Sequence, residues 1–324
     1  MNYLITLTPL KPFFFGGDVT FGKLGDKEGG TYLVKSRHFP QPTAILGMIR
    51  KEMLIQKGFL TTKIKGEWID KHLKDEAKNL VGNSKFEFDT KQDFGTLEKI
   101  SSLFLEKDGK KIIKKVAIDN YEFIVDNNKQ PLLKNYNPKK DIYDNFISTD
   151  NSKTFKTEDI FRSVEEVGNS KFDSENSLFK KTSYTLKHNF KFAFYLESDF
   201  ELKDAFVTLG GEGSTFKMEV SHSENNSLEY EDKNNYLTLL SDAYITLALK
   251  DNCTFAITSE ISFNYLQNKF NENKRTFQKS EQTRFLYEKG SVFIEPSDEL
   301  LENLNNQNLQ KIGLNHYSYT KGAN

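Results

Sequence analysis

The sequence feature best suited to binding chemistry is a glycine-rich segment, Leu209-Gly210-Gly211-Glu212-Gly213-Ser214. Glycine tolerates positive φ and has no Cβ, so a ligand can approach the main chain closely. Successive amides in such a loop form a concavity that suits phosphate or ribose. The structural alternative is a tight turn between two strands. Neither the Gly-Lys-Ser/Thr of a P-loop nor the helix of a dinucleotide fingerprint follows the segment.

A second candidate precedes the first predicted helix, where Ser36, Arg37 and His38 follow one another. A hydroxyl, a guanidinium and an imidazole are all suited to phosphate contacts, and the N-terminus of a following helix favours anions. The alternative is that these are ordinary solvated residues of a loop.

Catalytic chemistry finds less support in the sequence. His38 and His188 are the candidates for a general base in RNA cleavage, yet neither belongs to a recognisable acid/base constellation. The single cysteine, Cys253, lies in an apolar strand pattern and is expected in the core. The five histidines are too far apart in sequence to form a local metal motif, so no cofactor or metal is expected.

These candidates must be positioned by a mixture of strands and helices. Alternating apolar residues predict strands near residues 3–7, 189–197, 207–209, 216–220, 245–249, 253–257 and 290–294. Apolar residues at helical spacing predict a helix from Thr43 to Gly58 and a second over 67–80. Because no regular βαβα order is present, we expect an α+β fold with largely antiparallel sheets.

Length and charge restrict the class of protein further. The chain has 324 residues, which is enough for about two domains. The formal net charge is -1, but residues 1–65 contain ten Lys/Arg against four Asp/Glu. The near-zero net charge argues against a protein that coats nucleic acid nonspecifically. The excess of basic residues in 1–65 is compatible with a local basic face. Absence of a long apolar run and of a signal peptide predicts a soluble, cytoplasmic protein.

Four motifs in this order resemble the RAMP superfamily of CRISPR systems, most closely the third subunit of the Cmr (type III-B) module. The first strand runs into Pro9–Phe15, which contains paired phenylalanines. The segment 39–50, Phe-Pro-Gln-Pro-Thr-Ala-Ile-Leu-Gly-Met-Ile-Arg, is similar to the family's Pro-x-Pro-Ser-Thr-x-x-Gly-x-x-Arg. The glycine-rich segment and Lys289-Gly290-Ser291-Val292-Phe293 complete the set.

The resemblance implies tandem ferredoxin-like (RRM-like) βαββαβ domains, at 1–182 with an insertion around 81–160, and at 183–324 with the glycine-rich loop. It implies a subunit without nuclease activity in an antiviral effector complex, holding the 5′ repeat-derived tag of the guide RNA. The implied partners are that RNA, a large polymerase/cyclase-like subunit and backbone RAMP subunits, with no membrane. The expected RNA-binding residues are Ser36, Arg37, His38, Arg50, Gly210, Gly211, Glu212, Gly213, Ser214 and Lys217.

This sequence also departs from the family pattern. Members often carry Arg-Asp after the paired phenylalanines, where this chain has Gly16-Gly17-Asp18, and Arg after the glycine loop, where it has Ser214. Backbone amides and nearby lysines such as Lys217 are expected to substitute. Three alternatives remain open: a guide-processing endoribonuclease of the same superfamily, the equivalent subunit of a type III-A or III-D complex, and a protein scaffold whose glycine loop only makes a turn.

Overall fold

The computed structural model describes residues 1–16, 19–21, 32–60, 69, 71–83, 86, 88, 91–118, 121–125, 131–137, 142–169, 178–187, 189–264, 266–271, 274–279 and 282–320. The strands are β1 Asn2–Pro9, β2 Val19–Phe21, β3 Tyr32–Lys35, β4 Leu97–Ile100, β5 Phe104–Lys107, β6 Lys110–Lys114, β7 Glu122–Val125, β8 Pro131–Lys134, β9 Phe146–Ser148, β10 Thr154–Phe155, β11 Phe161–Asn169, β12 Leu178–Leu186, β13 Lys191–Ser198, β14 Ala205–Thr208, β15 Thr215–His222, β16 Leu237–Leu239, β17 Cys253–Ile257, β18 Glu260–Phe263, β19 Leu266–Asn271, β20 Lys274–Lys279, β21 Arg284–Tyr287, β22 Val292–Pro296 and β23 Tyr317–Ser318. The helices are α1 Pro42–Gln56, α2 Lys74–Val81, α3 Thr157–Ile160, α4 Asp298–Leu304 and α5 Gln307–Gln310.

A nine-stranded sheet forms the centre of the fold, in the order β10-β9-β6-β5-β13-β1-β15-β14, with β4 also paired to β13. The N-terminal strand β1 lies between β13 and β15, both antiparallel to it. The first residues of the chain are therefore held by segments about 185–220 residues further on. Among the described ladders only that of β12 with β3 is parallel, so the α+β class with largely antiparallel sheets is confirmed.

Alternating burial explains why these segments are strands. Tyr3, Ile5 and Leu7 of β1 are buried on one face of the sheet, and the alternate residues of the strand are partly exposed. Phe192 and Phe194 of β13 are fully buried in the same cluster, as predicted for this strand. An apolar residue at every second position fixes both the strand and its register, because a one-residue slip would expose the whole set.

Helix α1 supplies side chains to this cluster, which includes Ile45, Ile49 and Met53. It begins at Pro42, which fits the first turn because a helix leaves that amide unpaired. Beyond its last residue, Gln56, Gly58 has a φ of 75°, in the left-handed region, and closes a Schellman motif in which the amides of Gly58 and Phe59 donate to the carbonyls of Ile55 and Leu54. The helix predicted between Thr43 and Gly58 is thus confirmed.

No helix among the described residues is long and apolar enough to cross a membrane.

The smaller sheets surround the central one. They are β11-β12-β3-β2, β17-β22-β16-β23 and the pairs β18-β21, β19-β20 and β7-β8. The domain boundary expected after residue 182 stays a prediction, and the central sheet takes strands from both sides of it. Within 81–160, expected to be an insertion, β4, β5, β6, β9 and β10 join the central sheet, whereas β7 and β8 form a separate hairpin.

Two local predictions need correction. No strand forms at residues 245–249, because the amides of Tyr244 and Thr246 donate to the side chains of Asn315 and Asn303 instead of to a neighbouring strand. A 3-10 turn at Leu249–Asp251 ends this segment. The second helix is shorter than the predicted 67–80: α2 starts at Lys74 after a 3-10 turn, while residues 67, 68 and 70 lie outside the described residues.

A buried ion pair lies just after β6. Lys115 Nζ is 2.8 Å from Asp232 Oδ2, and the two side chains are 0% and 1% exposed. The same carboxylate accepts hydrogen bonds from Thr238 Oγ1 at 3.1 Å and from the amide of Asn234 at 2.8 Å. These additional donors compensate the carboxylate for its lost hydration, as a buried charge requires.

Replacing Lys115 with methionine is expected to destabilise the protein by about 3–5 kcal/mol, because Asp232 would be left as an unpaired buried charge. The matched control is Lys134→Ala, which removes the exposed Lys134–Glu122 pair and should cost less than about 1 kcal/mol. Urea unfolding of both variants measures the difference. Equal losses of stability in the two variants would show that the buried ion pair contributes no more to the free energy of unfolding than the exposed pair does.

Candidate nucleic-acid interface

The glycine-rich segment closes the hairpin between β14 and β15. The amide of Leu209 donates to the carbonyl of Ser214 at 2.9 Å, and residues 211–213 form one 3-10 turn between them. Gly210 and Gly213 have φ of 86° and 64°, in the left-handed region that favours glycine. The segment therefore forms the tight turn between two strands that was the structural alternative to a binding loop, and a binding role would be additional to this turn.

The aromatic segment, which we define as Phe13–Gly16, lies directly against this loop. The amide of Gly211 donates to the carbonyl of Phe14 at 2.7 Å, and the amide of Phe14 donates to Ser214 Oγ at 3.2 Å. A Cβ on Gly210 would lie 2.5 Å from that carbonyl oxygen. One loop amide and the Ser214 hydroxyl are thus already engaged within the protein.

Gly213 differs from its neighbours because it faces open space. A Cβ placed on it would meet nothing within 4 Å among the described residues, whereas one on Gly211 would come within 3.1 Å of the Phe14 ring. The side chain of Glu212 lies outside the described residues. Gly210 and Gly213 are both exposed, but only Gly213 has free space where a Cβ would stand, so the turn around Gly213 is the open part of the loop.

The segment Ser36–His38 lies on the other side of the aromatic segment. Ser36 Oγ accepts the amide of Phe15 at 2.9 Å and donates to the carbonyl of Arg37 at 2.8 Å. The amide of Arg37 donates to the carbonyl of Gly16 at 2.9 Å. The predicted loop, the aromatic segment and Ser36–His38 therefore form one continuous junction, although more than 170 residues separate its ends.

Most of the polar groups in Ser36–His38 have internal partners. The Arg37 guanidinium donates to the carbonyl and hydroxyl oxygens of Ser262. The ring of His38 packs in a tilted arrangement against Tyr184 and Phe161, with centroids 4.5 and 4.6 Å away. Burial, together with the charges of Lys114 and Lys35, lowers the pKa of His38 to about 4. At neutral pH this imidazole is uncharged. His188 lies outside the described residues.

Arg50 and Lys217 are placed differently from the junction residues. Arg50, on α1, stands 5.5 Å over the Phe94 ring, and its Nε and Nη2 are buried without a hydrogen bond among the described residues. Burial lowers its pKa to about 10. Lys217, on β15, is exposed and lies 2.6 Å from Glu219, whose hydrogen bond raises the pKa of the lysine. Of the two, Lys217 is exposed, whereas Arg50 is half-buried.

Lys289 has a structural role that its motif alone did not indicate. Its Nζ stands 4.0 Å over the ring of Phe39, the residue after His38, and its amide donates to Asp242 Oδ1 at 2.9 Å. Burial lowers the pKa of Lys289 and raises that of Asp242. The late motif thus supports the Ser36–His38 segment from inside the fold.

Metal-binding clusters of three or more His, Cys, Asp or Glu side chains do not occur within the described part of the chain. Burial raises the pKa of the Cys253 thiol, which keeps it protonated at neutral pH.

An α+β fold with mostly antiparallel sheets is the class that the RAMP resemblance implied. Comparison with known proteins supports that class. A family model described as CRISPR-associated protein (Cas_Cmr3) matches residues 5–113. That range includes the first two of the four motifs. The resemblance to a RAMP-type Cmr subunit is therefore confirmed.

Solved structures support the same fold along nearly the whole chain. A chain of the type III-B Cmr-beta complex bound to cognate target RNA, determined by cryo-EM, has a TM-score of 0.55 and 17% identity, with 98% of this chain and 96% of that chain covered. A chain of the same complex with target RNA and AMPPnP, state 1, has a TM-score of 0.51 with the same identity and coverage. Comparison with curated protein sequences gives no match.

Gly210→Ala is expected to destabilise the protein more than Gly213→Ala. Both substitutions strain a positive φ by roughly 1–2 kcal/mol, but only the Gly210 Cβ also meets a backbone oxygen, at 2.5 Å. Thermal unfolding of the two variants measures the difference. A Gly210 variant as stable as the Gly213 variant would contradict the close packing of Phe14 on the loop.

The buried histidines predict a loss of stability in mild acid. The pKa values of His38 and His316 are both lowered to about 4, mainly by burial, whereas an unfolded histidine titrates near 6.5. The unfolded state therefore binds more protons between these values, and stability falls as the pH falls from about 6.5 to 4. NMR titration should give midpoints near 4 for both rings. The His38→Phe variant should lose less stability over this range than the parent, and an equal loss would contradict the low pKa.

Proposed function

We propose that this chain is a non-catalytic, RNA-binding subunit of a cytoplasmic type III-B CRISPR effector complex. In this role it holds the 5′ repeat-derived tag of the guide RNA beside the large polymerase/cyclase-like subunit and next to the backbone RAMP subunits. The observation that carries the proposal is the junction, in which two of the family motifs and the Ser36–His38 segment meet and leave the turn around Gly213 open.

The chemistry of the open turn is suited to RNA. A backbone without side chains lets phosphate and ribose come close, and the 2′-hydroxyl can both donate and accept hydrogen bonds. Lys217 lies on the strand that leaves the loop and offers a charge for a phosphate. The type III-B complexes whose chains share this fold were solved with target RNA bound, which supports an RNA-binding setting.

The geometry around His38 favours a binding role over a catalytic one. A general acid/base in RNA cleavage works best with a pKa near the operating pH and must reach the substrate. His38 is instead held between Phe161 and Tyr184 and stays neutral at pH 7. The endoribonuclease alternative would thus need a catalyst other than this histidine.

Gly213→Ala is expected to lower the affinity of the assembled complex for the guide tag by at least about tenfold, equivalent to about 1.4 kcal/mol. The added methyl group would stand in the space that the RNA backbone occupies. Gly109→Ala is the matched control, because Gly109 has a φ of 77°, also faces open space and also lies in a hairpin turn. Tag binding and thermal stability are measured for both variants.

Both variants should lose similar stability, and only the Gly213 variant should lose tag affinity. If Gly213→Ala binds the tag like the parent chain, the loop is only a turn and the RNA site lies elsewhere. Incubation of the parent chain with its repeat RNA, without metal, separates the enzyme alternative. Intact RNA supports the binding role, whereas site-specific cleavage would contradict it.

A further inference from the structure

The outer strand β14 leaves one edge of the central sheet open. It is the last strand in the order of the sheet and pairs only with β15 among the described strands. Because Leu209 donates to Ser214, the alternation of an antiparallel ladder directs the backbone groups of Ala205 and Val207 towards β15. The N–H and C=O groups of Phe206 and Thr208 therefore point outward, where another strand can pair with them.

Exposed apolar side chains lie on both sides of this edge. Phe206 is 71% exposed, on the face of the sheet opposite to the buried Val207. Ile55 of α1 is 46% exposed. The last turns of α1 run along the strand, since Lys51 Nζ donates to Thr208 Oγ1 at 3.2 Å and Gln56 Nε2 donates to the carbonyl of Lys203 at 2.9 Å. Ile55 thus borders the edge on the helical side.

The charge around the edge favours an acidic occupant. Lys51 and Lys203 are exposed, and within the described residues neither has a carboxylate at ion-pair distance. Lys57 follows at the end of α1 and is also exposed. Lys51 and Lys203 lie beside the apolar surface, and the exposed Asp204 that precedes β14 already accepts the amide of Val220 through its Oδ1. Protected edges usually place charge or proline on the strand itself, and β14 contains neither.

We propose that β14 is the docking site for an extended segment of a partner protein, which adds to the central sheet as a further strand. Successive side chains of a strand point to opposite faces. Two adjacent apolar residues of the segment therefore cover Phe206 on one face and Ile55 on the other. Acidic residues on either side of them face the lysines. Backbone hydrogen bonds supply affinity, and the alternating side chains supply specificity. This proposal does not depend on the RNA-binding role.

The test uses the full chain and a defined probe, an acetylated and amidated hexapeptide with the sequence Glu-Glu-Val-Val-Glu-Glu. It is expected to bind saturably and to slow hydrogen exchange at the amides of Phe206 and Thr208, which NMR detects residue by residue. Three control peptides separate the contributions: one with every amide N-methylated, one with serines for the valines and one with lysines for the glutamates. Each should bind at least about tenfold more weakly, a change of about 1.4 kcal/mol.

Phe206→Ser should weaken probe binding about tenfold without lowering thermal stability, because the ring is exposed. Phe285→Ser is the matched control, since Phe285 is 63% exposed on a different sheet, and it should leave binding unchanged. The proposal is overturned if the N-methylated peptide binds equally well or if the two amides gain no protection. It is also overturned if Phe206 instead mediates self-association of the chain or binding of a single-stranded RNA.

Discussion

The hydrogen bond from the Gly211 amide to the Phe14 carbonyl joins two parts of the chain that are nearly 200 residues apart, and the junction depends on it. The carbonyl occupies space that a Cβ on Gly210 would need. The aromatic segment can approach the hairpin only because glycine stands there. Once it is held in this way, the amide of Phe15 reaches Ser36, so the second candidate segment takes its position from the first.

Local pattern was enough to predict many elements of this fold. Strand β1, which has one buried face, could be predicted from its period-two alternation, and β13 could be predicted from the phenylalanines at every second position, although both of its faces are buried. Helix α1 carries both a proline at its start and a glycine after its end. The pattern at residues 245–249 misled because alternation reports which side chains are buried, but not what the backbone binds. There, asparagine side chains replace the neighbouring strand that the pattern assumed.

The candidate site was less predictable, because its residues acquire their roles from distant partners. The type and order of the motifs indicated which segments matter, but not that Phe14 engages the loop. Arg50 shows the limit most clearly. Its position in the motif suggested a phosphate contact, yet Phe94, which is 44 residues further on, covers its guanidinium. A charged side chain on a helix looks the same in the sequence whether solvent or a ring lies above it.

Much of the positive charge near the junction is already balanced within the protein. Lys217 lies against Glu219, Lys181 against Glu166 and Lys114 against Glu288. A phosphate that approaches any of these lysines must compete with a carboxylate at 2.6–2.8 Å. Nonspecific affinity for RNA rises with the number of phosphates that free lysines and arginines neutralise. Under the proposed function, this chain would therefore recognise its RNA mainly through backbone shape at the open turn, and the charge that holds a long guide would come from the other subunits of the complex.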